Sequence, residues 1–368
     1  MATLYRYLFA DLLTNQILAE LPLTGVTFTE QLNVAGTFTG HLLLSGIDTA
    51  GLNVNAATIP GRCAIYVDRN GELVWGGVVW LREYSSADQR MSLTAREFLS
   101  YYERRRITDT LPYTGYDQLA IALNLMNYAE GKPHGSLGLL FNQDPGSSST
   151  SGVIISRLYY NYELKTIFQA IQDLSKANNG FDFEISVYYD GSGNPAKSFN
   201  TYYPHSGTRY DPNNPSIPVF ELPGNIVEYQ YPEDGSKAAN EIYGLGAGSG
   251  FGKLVEIVDD STKLATGWPL LQEQGNFTDI YDPALLTSIT QGMLNATSYP
   301  PVTLKIAVPA YIDPVYGTYE LGDDVRVIIT DSRFPDTLDT VYRITAISID
   351  AGEDKPERVT LTVTQGSI

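Results

Sequence analysis

Residues that carry chemistry are scarce in this chain of 368 residues, which has one cysteine, Cys63, and three histidines, His41, His134 and His205. A lone cysteine forms no internal disulfide, so the fold does not rest on an oxidising compartment. Beside the apolar run Ala64 to Val67, Cys63 reads as a buried structural thiol rather than a nucleophile. The histidines lie in different parts of the chain and at no metal-ligand spacing. His41 falls inside an alternating strand, and His134 and His205 each follow a proline in a loop. No Gly-x-Ser-x-Gly elbow and no Asp-x-Asp-x-Asp-Gly calcium loop occur. The glycine run Gly244 to Gly252 lacks the Gly-Lys-Ser/Thr end of a phosphate cradle, since Lys253 is followed by Leu254. No cofactor is therefore expected. A carboxylate pair for glycoside hydrolysis stays open, because folding rather than spacing sets such a pair. No stretch approaches the ~18 consecutive apolar residues of a membrane span. Asp11, Asn15, Gln16 and Glu20 interrupt any signal-peptide core in Met1 to Leu23, which points to synthesis and assembly in a cytoplasm.

Charge is also sparse, at 18% of residues, below the roughly 25% of ordinary soluble domains. What the chain has instead is 43% apolar residues, 26 tyrosines and 33 glycines, a composition of many short strands. Its clearest pattern closes the sequence: Tyr319 to Ile329, Val341 to Ile349 and Glu357 to Val363 largely alternate apolar with polar residues, the period of a strand buried on one face. The inward set is expected to be Val325, Val327, Ile329, Ile344, Ala346, Val359, Leu361 and Val363, with Ile328 and Ile347 as apolar exceptions on the outer face. Near the other end, Ala64 to Val79 reads as a hairpin turning at Asn70-Gly71. Helical spacing appears at Arg96 to Tyr102, Tyr116 to Ala129, Glu163 to Asn178 and Asp282 to Ala296, the last with Asp282 as N-cap and Pro283 in its first turn. The fold class that follows is a β-rich α+β protein with two small β-barrel domains and a helix-containing α+β region between them. The expected domains are residues 1–105, an N-terminal barrel; 106–222, the α+β region; and 223–368, linker strands, a helix and a C-terminal barrel.

The order Leu321-Gly322-Asp323-Asp324-Val325-Arg326-Val327, strand, Arg343-Ile344-Thr345-Ala346-Ile347, turn, strand resembles the last barrel of phage tail-hub proteins. Val26 to Leu44 resembles the opening strands of the hub or minor tail proteins of long-tailed actinobacterial phages, where strand, Asn-x-x-Gly, strand begins the first barrel; here that element is Asn33-Val34-Ala35-Gly36. The resemblance touches both ends of the chain and covers the middle weakly. It implies a structural protein without enzymatic activity, a homotrimeric ring in which two barrels per subunit make six similar positions, and a place at the virion tail tip. The implied partners are further copies of the chain, the tail tube or distal tail protein, and tail-tip or fibre proteins, with DNA passing through unbound. Family members with lytic or fibre-like activity carry long C-terminal additions, and this sequence ends at Ile368 directly after the last strand, which argues against a cell-wall hydrolase.

The formal charge of -18 is unevenly spread: -2 over residues 1–105, -4 over 106–222 and -12 over 223–368. Such acidity disfavours tight nucleic-acid binding. It serves either simple solubility or a repulsive lumen, for which Asp323, Asp324, Asp331, Asp336 and Asp339 are the candidate lining residues; the basic run Arg104 to Arg106 is the contrary candidate. Aromatic residues open a second functional class, a carbohydrate-binding receptor-recognition module. Trp75 and Trp80, at odd spacing, should take opposite faces, one in the core and one exposed. The clusters Tyr159-Tyr160-Asn161-Tyr162, Tyr188-Tyr189 and Tyr202-Tyr203 read as half-buried strand or interface residues or as a sugar platform.

Overall fold

A computed structural model describes residues 3–44, 53–177, 179–213, 216–298, 303–352 and 355–365. The first hundred residues supply β1 (Tyr5–Asp11), β2 (Ile17–Glu20), β3 (Thr24–Gln31), β4 (Thr37–Leu43), α1 (Val54–Ala57), β5 (Cys63–Arg69), β6 (Glu72–Ser85), β7 (Arg90–Glu97) and α2 (Leu99–Tyr102). The middle carries β8 (Leu111–Asp117), α3 (Gln118–Glu130), β9 (Leu140–Phe141), β10 (Ile154–Tyr159), α4 (Ile167–Ser175), β11 (Asp182–Tyr189) and β12 (Pro195–Tyr202). There follow β13 (Val219–Leu222), β14 (Glu228–Gln230), β15 (Glu241–Leu245), β16 (Val255–Asp259), α5 (Ser261–Ala265), β17 (Gln272–Asn276) and α6 (Pro283–Thr297). The chain ends in β18 (Thr303–Pro309), β19 (Asp324–Ile329), β20 (Leu338–Asp350) and β21 (Arg358–Gln365).

Strands from both ends of the chain share one 13-stranded sheet, in the order β14-β18-β21-β20-β3-β4-β7-β6-β5-β1-β2, with β19 pairing β20 and β13. The β-rich α+β class holds, and the expected barrels do not: neither half closes on itself. The outer edge of β3, which a closed barrel would return to its own half, is spent on β20, from Thr27 opposite Asp350 to Gln31 opposite Ala346. Val219–Leu222 joins the C-terminal set through parallel pairing with β19. The Asn70-Gly71 hairpin is as expected, with Arg69 opposite Glu72 and both turn residues at positive φ, 57° and 93°. Gly36, in the Asn33 to Gly36 element, is required by close approach: a Cβ there would stand 1.9 Å from the Thr29 carbonyl oxygen.

The two halves of the large sheet repeat one another, apart from the direction of the outermost strand, β1 lying antiparallel to β5 and β13 parallel to β19. N-terminally the path runs β3-β4-β7-β6-β5-β1, and C-terminally β14-β18-β21-β20-β19-β13. In each half the longest strand, β6 or β20, pairs along one edge with the half's last strand and over its first part with the preceding hairpin strand. Each long strand carries a one-residue bulge against that last strand, at Trp80 between Val79 and Leu81, and at Thr345 between Ile344 and Ala346. Each bulge lies two residues past the final pair with the hairpin strand, Val78 opposite Ala64 and Arg343 opposite Asp324.

The bulge at Thr345 corrects the inward set. Val325, Val327, Ile329, Ile344, Val359, Leu361 and Val363 are fully buried as expected, while Ala346 is half-buried and Ile347 and Ile349 are in the core. An extra residue reverses the phase of every side chain after it. Ile328, on β19, which this bulge does not affect, stays half-buried on the outer face.

A single core cluster joins the halves, with Phe28, Phe38 and Trp75 in the same apolar body as Ile347 and Val359. The opposite face of the N-terminal half is covered by the middle region, where Tyr66, Val78 and Phe98 pack with Leu119, Phe168 and Phe183. That double cover explains why Cys63 to Asp68 is buried throughout rather than alternating. The helices are shorter than or offset from the sequence expectation: Arg96 and Glu97 end β7, α3 starts at Gln118, and Glu163 belongs to a 3-10 turn before α4; Asn178 lies outside the described residues. The Asp282 N-cap of α6 is as expected, its carboxylate accepting from the Ala284 N–H at 2.8 Å. This helix packs on β15 and β16, which precede the terminal strands in sequence, through Leu285, Leu286, Ile289 and Leu294, with Met293 partly buried beside Leu294.

Ile347→Ala is expected to cost about 2–4 kcal/mol in chemical denaturation, the range for truncating a buried aliphatic side chain. Ile328→Ala, on the outer face, is expected to cost less than about 1 kcal/mol. A loss at Ile347 no larger than that at the outer-face Ile328 of β19 would show that Ile347 is not in the core, where the Thr345 bulge puts it.

Candidate functional site

The five aspartates proposed for a lumen separate into two groups at opposite ends of β19, a strand about 20 Å long at ~3.3 Å per residue. Asp323 and Asp324 lie inside the subunit, 8% and 4% exposed. The Asp323 carboxylate accepts from the N–H groups of Thr208 (2.6 Å) and Glu320 (2.8 Å), and that of Asp324 accepts from Tyr210 N–H (2.9 Å) and pairs with Arg209 (3.0 Å). Both hold the Ser206 to Tyr210 loop against the sheet. At the β19–β20 turn, Asp331 accepts from the Tyr229 hydroxyl at 2.5 Å and from two backbone N–H groups, and Asp339 pairs with Arg326 at 2.6 Å. These bonds hold both carboxyls below their ordinary range. Asp336 is exposed between them. Of the basic run, Arg105 is spent inside the middle region on Gly135 O (2.5 Å) and Ala129 O (2.9 Å), Arg106 reaches Leu164 O at 3.0 Å, and Arg104 lies over the Trp80 ring.

Three parts of the chain meet at one node beside the β3–β20 ladder. Arg343 on β20 pairs with Asp182 on β11 and donates to the carbonyls of Gly322 and Ser206, both at 3.0 Å. The other Asp182 oxygen accepts from Asn33 Nδ2 at 2.8 Å, and Asn33 Oδ1 accepts from Phe183 N–H at 2.7 Å. Asn33, at φ 60°, is the first residue of the Asn-x-x-Gly element. Arg157 on β10 and Lys165 tie the middle region to the α6 unit through Asp279, at 3.0 and 2.7 Å.

Next to the node opens a cavity of about 780 Å³, walled by both halves of the sheet and by β11. Glu30 on β3, Glu97 on β7, Glu184 on β11 and Glu320 before β19 all face it; none of them was singled out from the sequence. Burial pushes Glu30 up to about 8, with Glu184 and Glu320 adding like charge. Burial raises Glu184 to about 7 against a 2.7 Å hydrogen bond from the Tyr202 hydroxyl, and it raises Glu97 well above the carboxylate range against the Gly36 N–H. Arg69, on the same wall, is already paired bidentately with Glu357 at 2.8 Å. Two of the four were legible in principle: Glu30 follows Val26 and Phe28, and Glu97 follows Leu93 and Ala95, each in the inward phase of its strand.

Cys63 is buried, with its thiol pushed up by burial. His41 shares a hydrogen bond with Ser92 at 3.0 Å, and His134 is an exposed loop residue. Trp75 is in the core, its indole donating to Thr29 O at 3.0 Å; Trp80 occupies the β6 bulge half-buried, against Ser100 at 2.8 Å, rather than exposed. Gly246 to Gly252 connects two antiparallel strands, β15 and β16, with only a 3-10 turn at Gly250–Gly252 and no α-helix to receive a phosphate. Asp260 caps α5. Among the described residues no group of three His, Cys, Asp or Glu side chains is placed to hold a metal ion, and no helix is long and apolar enough to cross a membrane. Tyr159 is buried and Tyr202 nearly so, whereas Tyr162, stacked on Tyr160 at 5.0 Å, is 69% exposed.

Raised carboxyl pKa values make folding proton-linked with a fixed sign. The folded state keeps these protons above pH ~4.5, where the unfolded chain has released them, so their contribution is intact below that pH and is lost as pH rises through 7 to 8. The melting temperature is expected to fall from pH 5 to pH 8, and Glu30→Gln with Glu184→Gln should flatten the profile. His205, pushed down by burial, works in the opposite sense, so the carboxamide variants isolate the glutamates. Buried Lys197, pushed down to about 8, begins to release its proton at the top of this window. An unchanged slope in the double variant would remove the cavity glutamates as its cause.

No family model matches the chain, and no curated protein does. Solved structures do match over nearly its whole length. A tail protein from Neisseria meningitidis MC58 aligns over 98% of this chain and 96% of its own, at 13% identity and TM-score 0.60. The 43 kDa tail protein of prophage MuSo2 from Shewanella oneidensis covers 98% of both chains at 12% identity and TM-score 0.60. Prophage tail protein gp18 from Listeria monocytogenes EGD-e covers 98% of this chain and 95% of its own, at 12% identity and TM-score 0.54. The chain shares its fold with phage tail proteins from end to end.

Proposed function

We propose that this chain is a structural component of a virion tail, a hub subunit that forms a closed three-fold ring joining the tail tube or distal tail protein to tail-tip or fibre proteins. The observation that carries the reading is the repeated half-sheet, in a chain whose fold is that of phage tail proteins over 98% of its length. Two equivalent halves per copy give three copies six similar positions, and a ring hides strand edges that would otherwise pair at random. The hub has no catalytic residues or cofactor of its own. DNA crosses the ring without being retained, repelled at ranges up to ~8 Å by an acidic lining. Asp331, Asp336 and Asp339, at the β19–β20 turn, are the lining residues of choice; Asp323 and Asp324, turned into the subunit, are not.

One observation favours a second reading, carbohydrate recognition. Tyr162 and Tyr281, 69% and 52% exposed, flank Tyr160 on the surface, an arrangement that offers aromatic faces to a sugar. A glycan-binding screen tests it: saturable binding that Tyr162→Ala and Tyr281→Ala abolish supports it.

Sedimentation of the purified chain, alone and with the tail-tube protein, tests the ring. The expected particle has three times the 40.5 kDa chain mass. A monomer at 200 µM in both conditions overturns the hub reading, as does release of soluble fragments from host cell wall by the isolated protein.

A further inference from the structure

The sheet contains one joint whose counterpart is missing. In the C-terminal half, the free part of the long strand, Ala346 to Asp350, receives β3 along the same edge that its first part gives to β19. In the N-terminal half, the equivalent strand β6 gives its first part, Glu72 to Val78, to β5, and on that edge Leu81 to Ser85 has no strand partner among the described residues. The two bulges fix the equivalence residue by residue: Trp80 stands for Thr345, so Leu81 to Ser85 stands for Ala346 to Asp350. Tyr84 thus holds the place of Ile349, yet Ile349 is fully buried and Tyr84 is 53% exposed; Leu81 is 54% exposed.

The incoming strand has its counterpart as well. β3 lies beside β4 as β14 lies beside β18, and Thr27 faces Thr39 as Gln230 faces Lys305. The stretch equivalent to Thr27 to Gln31 is therefore Gln230 to Asp234, and no strand lies on its outer side among the described residues.

Resting on the ring reading above, we infer that Gln230 to Asp234 of one copy pairs antiparallel with Leu81 to Ser85 of the next, repeating between copies the β3–β20 joint made within each copy. Carrying over the internal register sets Gln230 opposite Ser85, Tyr231 opposite Tyr84 and Glu233 opposite Arg82. The last pair is of opposite charge; within its own copy Glu233 already pairs with Arg333 at 2.9 Å, both side chains more than half exposed, so Arg82 joins or replaces Arg333 at that carboxylate. Arg82 is already oriented at this edge, its guanidinium donating to Asn55 O at 2.8 Å and Thr58 Oγ1 at 3.0 Å. Pro232 takes the place of Thr29, which lies between the hydrogen-bonded pairs of the β3–β20 ladder, so the missing N–H removes no bond from the joint. Because the two surfaces differ, the contact is heterologous, the type that closes rings rather than two-fold dimers.

Ser85→Cys combined with Gln230→Cys places two thiols on exposed positions of the proposed pair and leaves buried Cys63 in place. Under mild oxidation at 200 µM, the double variant is expected to give a covalent ladder ending at three chains, with neither single variant forming it. Arg82→Glu and Glu233→Arg should each weaken association at least tenfold in sedimentation, and the two together should restore it. If wild type sediments as a trimer but the double cysteine variant does not cross-link and Arg82→Glu leaves the trimer intact, this contact is wrong and the ring stands. If wild type stays monomeric, ring and contact fall together.

Discussion

The five-residue ladder between β3 and β20 is the constraint on which the rest of the structure depends. It joins strands more than 300 residues apart in sequence, merges two half-sheets into one hydrophobic body, and uses the edge that each half would need to close as a barrel. Backbone pairing alone carries no identity, so register has to come from side chains. Phe28 and Ile349 supply it on the core face, and the Asn33–Asp182–Arg343 node supplies it at the end of the ladder. Asp182 and Arg343 are both largely buried, so removing either leaves a charge without its partner, a far larger loss than an exposed ion pair incurs. The middle region is positioned by the same node: Asn33 holds the first residues of β11, and β11 in turn walls the glutamate cavity.

Much of this fold was legible from period and turn chemistry. The terminal strands, the Asn70-Gly71 hairpin, the Asp282 cap and the apolar stripe of α4 are local statements, and the residues that make them are adjacent in sequence. The barrels were not legible, because closure depends on where the outer edge of β3 finds a partner, and that partner lies at residues 346–350. The phase change at Thr345 was visible only as an anomaly, an apolar Ile347 on the supposed outer face. The buried run Cys63 to Asp68 could not alternate, since a second layer of helices and strands covers its other side.

The site was less legible than the fold for a related reason. A run of aspartates in a polar turn reads as solvent-facing, yet Asp323 and Asp324 are consumed by the N–H groups of a loop more than 110 residues earlier, which sequence does not bring near them. The cavity glutamates sit singly on four different elements, so no spacing announces them. Their only signal is a carboxylate in the inward phase at Glu30 and Glu97. Buried carboxyls whose pKa is raised weaken a folded subunit as pH rises, and here they gather where three parts of the chain meet.

Repetition of the half-sheet places two stretches unlike in sequence at equivalent positions. Thr27 to Gln31 and Gln230 to Asp234 share little beyond the glutamate at the fourth position, and Ala346 to Asp350 and Leu81 to Ser85 share nothing obvious, so a search for a sequence repeat returns none. The equivalence survives in the features that backbone geometry enforces: the order of strands, the long central strand, and a bulge two residues past the last hairpin pair. If the proposed contact between copies forms, the two joints have different demands, and side chains were free to diverge. The joint within a chain forms at the high effective concentration of a tether and tolerates a fully apolar, permanently buried pair such as Phe28 and Ile349. The proposed joint between copies would have to stay soluble before it forms, which fits tyrosines at the places of Phe28 and Ile349 and Arg82 at the place of Ile347.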